Sequence, residues 1–302
     1  MEVYPHGFGR TIREVHGEAG NAWLEKLPEL IRECERRWGL RVRGPAGRLS
    51  YNYVALAERI DGSQAVLKLG VPNPELSSEI AALRLFDGRG AVKLLDCDVE
   101  RGILLLEYVQ PGTPLANMED DEQATAIAAG VLRRLWRPAP REHTFPTVAK
   151  WAKGLGRLRA HFDGGTGPLP ERLVERAEGY FAELLQVPEE PMLLHGDFHH
   201  DNVLTGEREP WLVIDPKGLV GERAYELGAF LYNPLPDFPK RPDLCQALER
   251  RIDQLCEALG LERERVIGYG LAQAVLSAWW SIEDHGYGWE GVMRVAEELE
   301  NL

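Results

Sequence analysis

Cysteine is scarce and scattered in this chain: there are 4 in 302 residues, Cys34, Cys97, Cys245 and Cys256. None forms a C-x-x-C pair, which excludes a zinc ribbon and a redox motif and fits a reduced, cytoplasmic setting. Positive charge is in deficit. Lys and Arg number 35 against 48 Asp and Glu, a net charge of −13, whereas a nucleic-acid binder would carry a basic patch. The acidic balance suits plain solubility and equally a cationic small molecule in an acidic cleft. No apolar run reaches the roughly 18 residues of a membrane span. The opening residues Met1 to Gly7 have neither a basic n-region nor an apolar h-region, so no signal peptide is expected. There is no G-x-x-x-x-G-K-[ST], which excludes a P-loop enzyme, and Gly7-Phe8-Gly9 and Gly154-Leu155-Gly156 do not complete G-x-G-x-x-G. No internal repeat or low-complexity segment is present.

What is there fills two lobes. The length suits two domains, and 44% hydrophobic residues supply a core. Ala22 to Trp38 has helical apolar spacing, with Pro28 placed to kink or divide it. A β-rich region follows: Leu49 to Ala57, a turn at Asp61-Gly62, and a strand Ala65 to Leu69 that is apolar except for Lys68. Glu75 to Phe86 is expected to be a helix with Leu76, Ile80, Leu83 and Leu85 as its apolar positions, and Ala91 to Val99 and Ile103 to Tyr108 two more strands. Pro111-Gly112-Thr113-Pro114 has linker composition and places a lobe boundary after residue 110. Beyond it helices are expected at 120–136, 147–161, 171–185, 243–259 and 266–284, with a loop at Gly164 to Pro168. The expectation is an α+β chain: a β-rich N-lobe over 1–110 and a larger, mainly helical C-lobe over 111–302.

Inside the C-lobe lies Leu194-His195-Gly196-Asp197-Phe198-His199-His200-Asp201-Asn202-Val203-Leu204, then the strand Trp211 to Ile214 ending at Asp215. This H-x-D-x-x-x-x-N loop followed by a strand-end Asp is the inventory phosphoryl transfer needs. Asp197 can orient a hydroxyl and take its proton. Asn202 and Asp215 offer hard oxygen donors to magnesium. Upstream, Lys68 interrupts an apolar strand, which is costly without a partner. Either it lies on an edge strand in solvent, or it holds nucleotide phosphates and is aimed by Glu79 on the next helix. His195, His199 and His200 do not match zinc spacing, since adjacent residues share no helix face and no H-E-x-x-H occurs. His195 is expected to hydrogen-bond the loop, and the other two to flank the cleft or pack locally. Gly44 to Asn52, with Gly47, Ser50 and Asn52, is either a phosphate-covering hairpin or an ordinary turn.

With Ile214-Asp215-Pro216-Lys217-Gly218 and Ala274 to Asp284, these segments resemble the bilobal protein-kinase-like fold in its small-molecule branch. They are similar to the aminoglycoside phosphotransferases, in particular the aminoglycoside/hydroxyurea antibiotic resistance kinases, the streptomycin 6-kinase group. The resemblance spans Leu49 to Asp284 and implies ATP, magnesium and transfer to a hydroxyl of an aminoglycoside. It implies that Lys68 and Glu79 form the nucleotide ion pair, with Ser50 in the covering loop. It makes Glu107-Tyr108-Val109 the adenine hinge, Asp197 the catalytic carboxylate, and Asn202 and Asp215 the metal ligands. Glu226 stands where related kinases often have an Asp, a departure that bears on how the loop is supported. Trp279, Trp280, Glu283 and Asp284 either wall the site for a cationic acceptor or are core and helix end. A kinase for another metabolite (a sugar, choline-like amine, fructosamine or hydroxyurea-like compound) would share every core residue. A non-catalytic pseudokinase-like module would lack one of Lys68, Asp197, Asn202 and Asp215, and all are present.

Overall fold

The computed structural model describes residues 4–47, 49–187 and 189–302. Met1 to Val3, of the opening segment, and Arg48, of the candidate phosphate loop, lie outside the described residues, as does Pro188. The chain divides into two compact units, Met1–Gln110 and Pro111–Leu302.

The first unit contains α1 (His6–Trp38), β1 (Leu40–Pro45), β2 (Tyr53–Arg59), β3 (Gln64–Leu69), α2 (Pro74–Phe86), β4 (Leu94–Asp98) and β5 (Ile103–Glu107). The strands form one antiparallel sheet in the order β1-β2-β3-β5-β4. Asp61-Gly62 makes the β2–β3 turn, with Gly62 at φ 83°. The helix expected from Ala22 starts at His6. The residue that leaves helical geometry inside it is Gly17 (φ 54°, ψ −129°), not Pro28. Its first half carries Phe8 and Ile12, which are buried with Trp23, Leu27, Tyr53, Leu67 and Leu69 in one core. Four glycines and several charges dilute that apolar pattern between positions 7 and 20. Leu49 to Asn52 is turn, so the second strand begins only at Tyr53, and β1 was not foreseen. The expected strand at Ala91 is confined to β4. Leu85 is exposed, because the buried face of α2 runs through Leu76, Glu79, Ile80 and Leu83.

The second unit contains β6 (Pro111–Pro114), α3 (Asp121–Leu135), β7 (Arg137–Pro138), α4 (Val148–Ala152), α5 (Gly154–His161), α6 (Glu171–Leu184), β8 (Met192–Leu194), β9 (Val203–Gly206), β10 (Trp211–Val213), β11 (Leu219–Gly221), α7 (Arg223–Tyr232), α8 (Leu244–Leu259), α9 (Arg263–Asp284) and α10 (Glu290–Glu300). The segment of linker composition is a strand: β6 pairs with β9 in the order β10-β9-β6. The expected 147–161 helix is two, joined at Lys153. The helices α7 and α10 were not foreseen. A second small sheet runs β11-β8-β7. Against these sheets stands a helical bundle centred on α9, which is apolar on nearly all sides from Val266 to Trp279, as a helix enclosed by α6, α7 and α10 must be. Among the described residues no helix is long and apolar enough to cross a membrane.

Candidate active site

In the first unit, strand alternation sends Ala65, Leu67 and Leu69 to the α1 side of β3 and Lys68 to the opposite side. Because β3 is the central strand, Lys68 is 3% exposed and the edge-strand alternative fails. Its ammonium donates to both oxygens of Glu79, at 2.7 and 2.8 Å, and Glu79 is itself 6% exposed. The register of α2 that brings Glu79 there is set at its start. Pro74 sits in the first turn, and the Asn73 side chain accepts the Leu76 N–H at 2.9 Å. Ser50 is exposed in the β1–β2 turn. Glu107 ends β5, its N–H donating to Lys93 O at 2.9 Å and its carboxylate accepting Lys93 N–H at 3.0 Å. Val109 lies past the end of the strand.

In the second unit, Asp197 sits on a loop in which His195, Gly196, Phe198 and His200 are buried. Gly196 has φ 85°, a conformation that favours glycine, and a Cβ there would meet Leu219 and Lys217 at 3.1 Å and Trp151 at 3.3 Å. His195 is fully buried. Its Nε2–H donates to Ile214 O at 2.8 Å, its Nδ1 accepts the Asp197 N–H at 3.2 Å, and its carbonyl accepts Lys217 N–H at 2.7 Å and Gly218 N–H at 3.2 Å. This assigns one neutral tautomer. Burial pushes its pKa from 6.5 down to about 4, against the pull of Asp197. The His195 and Gly196 N–H groups donate to the two oxygens of Glu226, at 2.6 and 2.8 Å. Glu226 therefore supplies the loop support that its replacement of an Asp had put in question. Burial raises its pKa to about 7, opposed by those two backbone bonds. The Asp197 side chain, by contrast, is 39% exposed.

Asn202 and Asp215 come together through backbone pairing. The β9–β10 ladder continues one step beyond Val203–Val213, with Ile214 N–H donating to Asn202 O at 3.0 Å, so Asp215 follows directly. Asp215 holds φ 60°, a left-handed conformation unusual outside glycine and Asn. The Asn202 amide nitrogen donates to Asp197 O at 3.0 Å and lies 3.0 Å from His199 Nε2, so the amide oxygen is the group of this side chain that could serve as a ligand. An amide oxygen and one exposed carboxylate fit magnesium, which takes few protein ligands and keeps waters and phosphate oxygens. The three histidines part company. His199 lies between Asp197 and Asp201, its ring nitrogens 3.8 and 3.7 Å from their oxygens. Burial opposes its charge, but the carboxylates outweigh burial and its pKa is raised. His200 stacks on Phe230 at 4.1 Å, and burial followed by Arg251 holds its pKa well below 6.5.

Of the residues placed at the acceptor wall, Trp279 is 1% exposed and packs on His161 and Phe162 at 5.5 and 6.3 Å. It is a core residue, and no ring face is open to a ligand. Trp280 is half-buried. The Glu283 carboxylate is engaged by Arg157 Nε and Nη2, each at 3.0 Å. Asp284 is exposed at the end of α9. Sequence reasoning missed Trp151 at the loop, because α4 is too short to carry a periodic signal. It also missed Arg251, a buried arginine that donates to Asp121 at 2.9 and 2.5 Å and to the carbonyls of Phe230 and Asn233 at 3.0 and 2.7 Å.

The sequence profile of the aminoglycoside/hydroxyurea antibiotic resistance kinases matches residues 37–285. The chain belongs to that family. This kinase is 36% identical over 289 residues to a streptomycin 6-kinase of Streptomyces glaucescens, covering 93% of this chain and 91% of that protein. It is 38% identical over 277 residues to a hydroxyurea phosphotransferase of Kitasatospora aureofaciens, covering 89% and 77%. A crystal structure of a thermostable mutant of the aminoglycoside phosphotransferase APH(4)-Ia, in ternary complex with ADP and hygromycin B, matches with a TM-score of 0.60 at 14% identity over 90% of this chain and 97% of that one. The kinase is thus a phosphotransferase, and its β-rich first unit and helical second unit form the α+β, protein-kinase-like fold.

Proposed function

We propose that the kinase transfers the γ-phosphoryl group of ATP to a hydroxyl of a cationic aminoglycoside, with streptomycin the leading acceptor, in the cytoplasm. The reading is supported by the Asp197 loop. The His195 and Gly196 N–H groups and the neutral His195 ring are bonded inward, and the Asp197 side chain they position is 39% exposed. Asp197 holds the acceptor hydroxyl and takes its proton as the hydroxyl oxygen bonds to the γ-phosphorus. The bond from that phosphorus to the bridging oxygen breaks, and ADP leaves with the bonding pair. Lys68, aimed by Glu79, offsets charge on the α- and β-phosphates. Ser50 belongs to the turn that covers the phosphates. The carbonyl of Glu107 and the N–H of Val109 hold the adenine edge, since the Glu107 N–H is engaged by Lys93. Asn202 and Asp215 would hold magnesium, which when bound would neutralise phosphate charge.

Replacing Asp197 by Ala should cut kcat by about 100- to 10,000-fold, the range of a general base, while ATP binding persists. An Asp197→Ala enzyme with wild-type turnover would sink the assignment. The 38% identical hydroxyurea phosphotransferase supports a second reading with a small neutral acceptor. An acceptor panel with ADP-release readout separates the two: turnover with hydroxyurea and none with streptomycin replaces the first by the second.

A further inference from the structure

We propose that Trp151 and Trp280 form an aromatic wall beside Asp197 that selects a cationic acceptor by taking a guanidinium or ammonium group against an indole face. The proposal rests on the reading of Asp197 as the base for the acceptor hydroxyl. The position of Trp151 is set from the backbone up. Val220 N–H donates to Pro146 O at 2.9 Å, Thr147 bridges to Val220, and the Thr147 hydroxyl accepts Lys150 N–H at 3.1 Å to cap α4. That fixed first turn delivers the Trp151 indole to the loop, with Cη2 3.3 Å from where a Cβ on Gly196 would stand. Gly196 is the residue before Asp197. A second contact runs from Trp151 to Tyr225 at 6.3 Å, and Tyr225 precedes the Glu226 that bonds the Gly196 N–H.

Trp280 comes from α9 and meets Trp151 edge to face, with centroids 5.3 Å apart and planes at 88°. The Arg157–Glu283 bridge ties α5, which follows directly on the helix of Trp151, to α9 within the turn after Trp280. Unlike Trp279, both are half-buried, so each has an anchored part and an accessible part. Charges of both signs stand near them: Arg157 Nη2 and Trp280 Nε1 lie at 3.7 and 3.6 Å from where a Cβ on Gly154 would stand, with Arg157 already paired to Glu283, and Lys217 borders Gly196. Asp284 lies four residues after Trp280, on the same helix face, and Asp197 follows the glycine that Trp151 touches. An indole with carboxylates at hand attracts a planar cation and offers a neutral acceptor only contact area.

Streptomycin, which carries guanidinium groups, is the probe, titrated calorimetrically into the full chain. Trp151→Ala and Trp280→Ala should each raise its Kd by roughly 3- to 30-fold, with the KM for ATP held within about twofold. Trp151→Phe keeps a ring and should recover most of the loss. Should Trp151→Ala fail to fold, Trp280→Ala and Trp151→Phe still decide the matter. Wild-type streptomycin affinity in the alanine variants would overturn the wall, and so would a wild-type chain that does not bind streptomycin. Failure of the functional reading looks different: streptomycin binds, the variants weaken it, and no phosphoryl group is transferred to it.

Discussion

Replacing Glu226 by Gln should change how stability depends on pH, because Glu226 and His195 oppose each other. Glu226 titrates at about 7 in the folded chain against 4.5 ordinarily. A raised folded value means its contribution is complete below pH 4.5 and is lost as pH rises through about 7. His195 is lowered from 6.5 to about 4, so its contribution is complete above pH 6.5 and is lost as pH falls towards 4. Between pH 8 and pH 5 each shift is worth about 2–3 kcal/mol, of opposite sign, and the wild type should be nearly flat with respect to this pair. Glutamine removes one arm. The variant should then lose about 2 kcal/mol from pH 8 to pH 5 relative to wild type. It should also lose about 1–3 kcal/mol at all pH values, because a carboxamide can accept only one of the two N–H groups that Glu226 accepts. Urea unfolding followed by far-UV circular dichroism at pH 5, 6.5 and 8 measures both terms. Parallel pH profiles for wild type and Glu226→Gln would refute the argument, since Glu226 would then not titrate in this window.

Other substitutions test single contacts. Glu79→Ala leaves the Lys68 ammonium buried without its carboxylate and should cost about 3–5 kcal/mol in unfolding free energy. The double variant Lys68→Met, Glu79→Leu should regain most of that stability in urea titrations while turnover stays lost, which separates folding from phosphate binding. Gly196→Ala drives a Cβ against Lys217, Leu219 and Trp151 at a positive φ. It should lower stability by about 1–3 kcal/mol and reduce kcat more than it raises the KM for ATP. Arg251→Met strands the Asp121 carboxylate and the carbonyls of Phe230 and Asn233, and thermal unfolding should show a loss of about 3–5 kcal/mol.

The candidate residues for phosphoryl transfer were legible along the chain because each set is local. His195, Asp197 and Asn202 lie within one loop, Asp215 ends the next hairpin, and Lys68 and Glu79 are 11 residues apart on a strand and the following helix. Chain connectivity alone brings such groups together, and the cost of leaving them unpartnered in apolar runs makes them conspicuous. The tertiary structure decided what depends on neighbours distant in sequence. Whether β3 lies at the centre of its sheet rests on β5, some 35 residues on, and that placement turns Lys68 from a surface lysine into a buried one. Glu226 meets His195 across 31 residues, and Arg251 meets Asp121 across 130. The two tryptophans of α9 are adjacent in sequence and opposite in environment, because a step of about 100° around the helix takes Trp279 into the bundle and Trp280 out to Trp151. Composition and spacing therefore specify which groups are candidates for phosphoryl transfer. Only the packing of distant elements specifies which of them is buried, what supports the loop that carries Asp197, and which aromatic ring stands beside it.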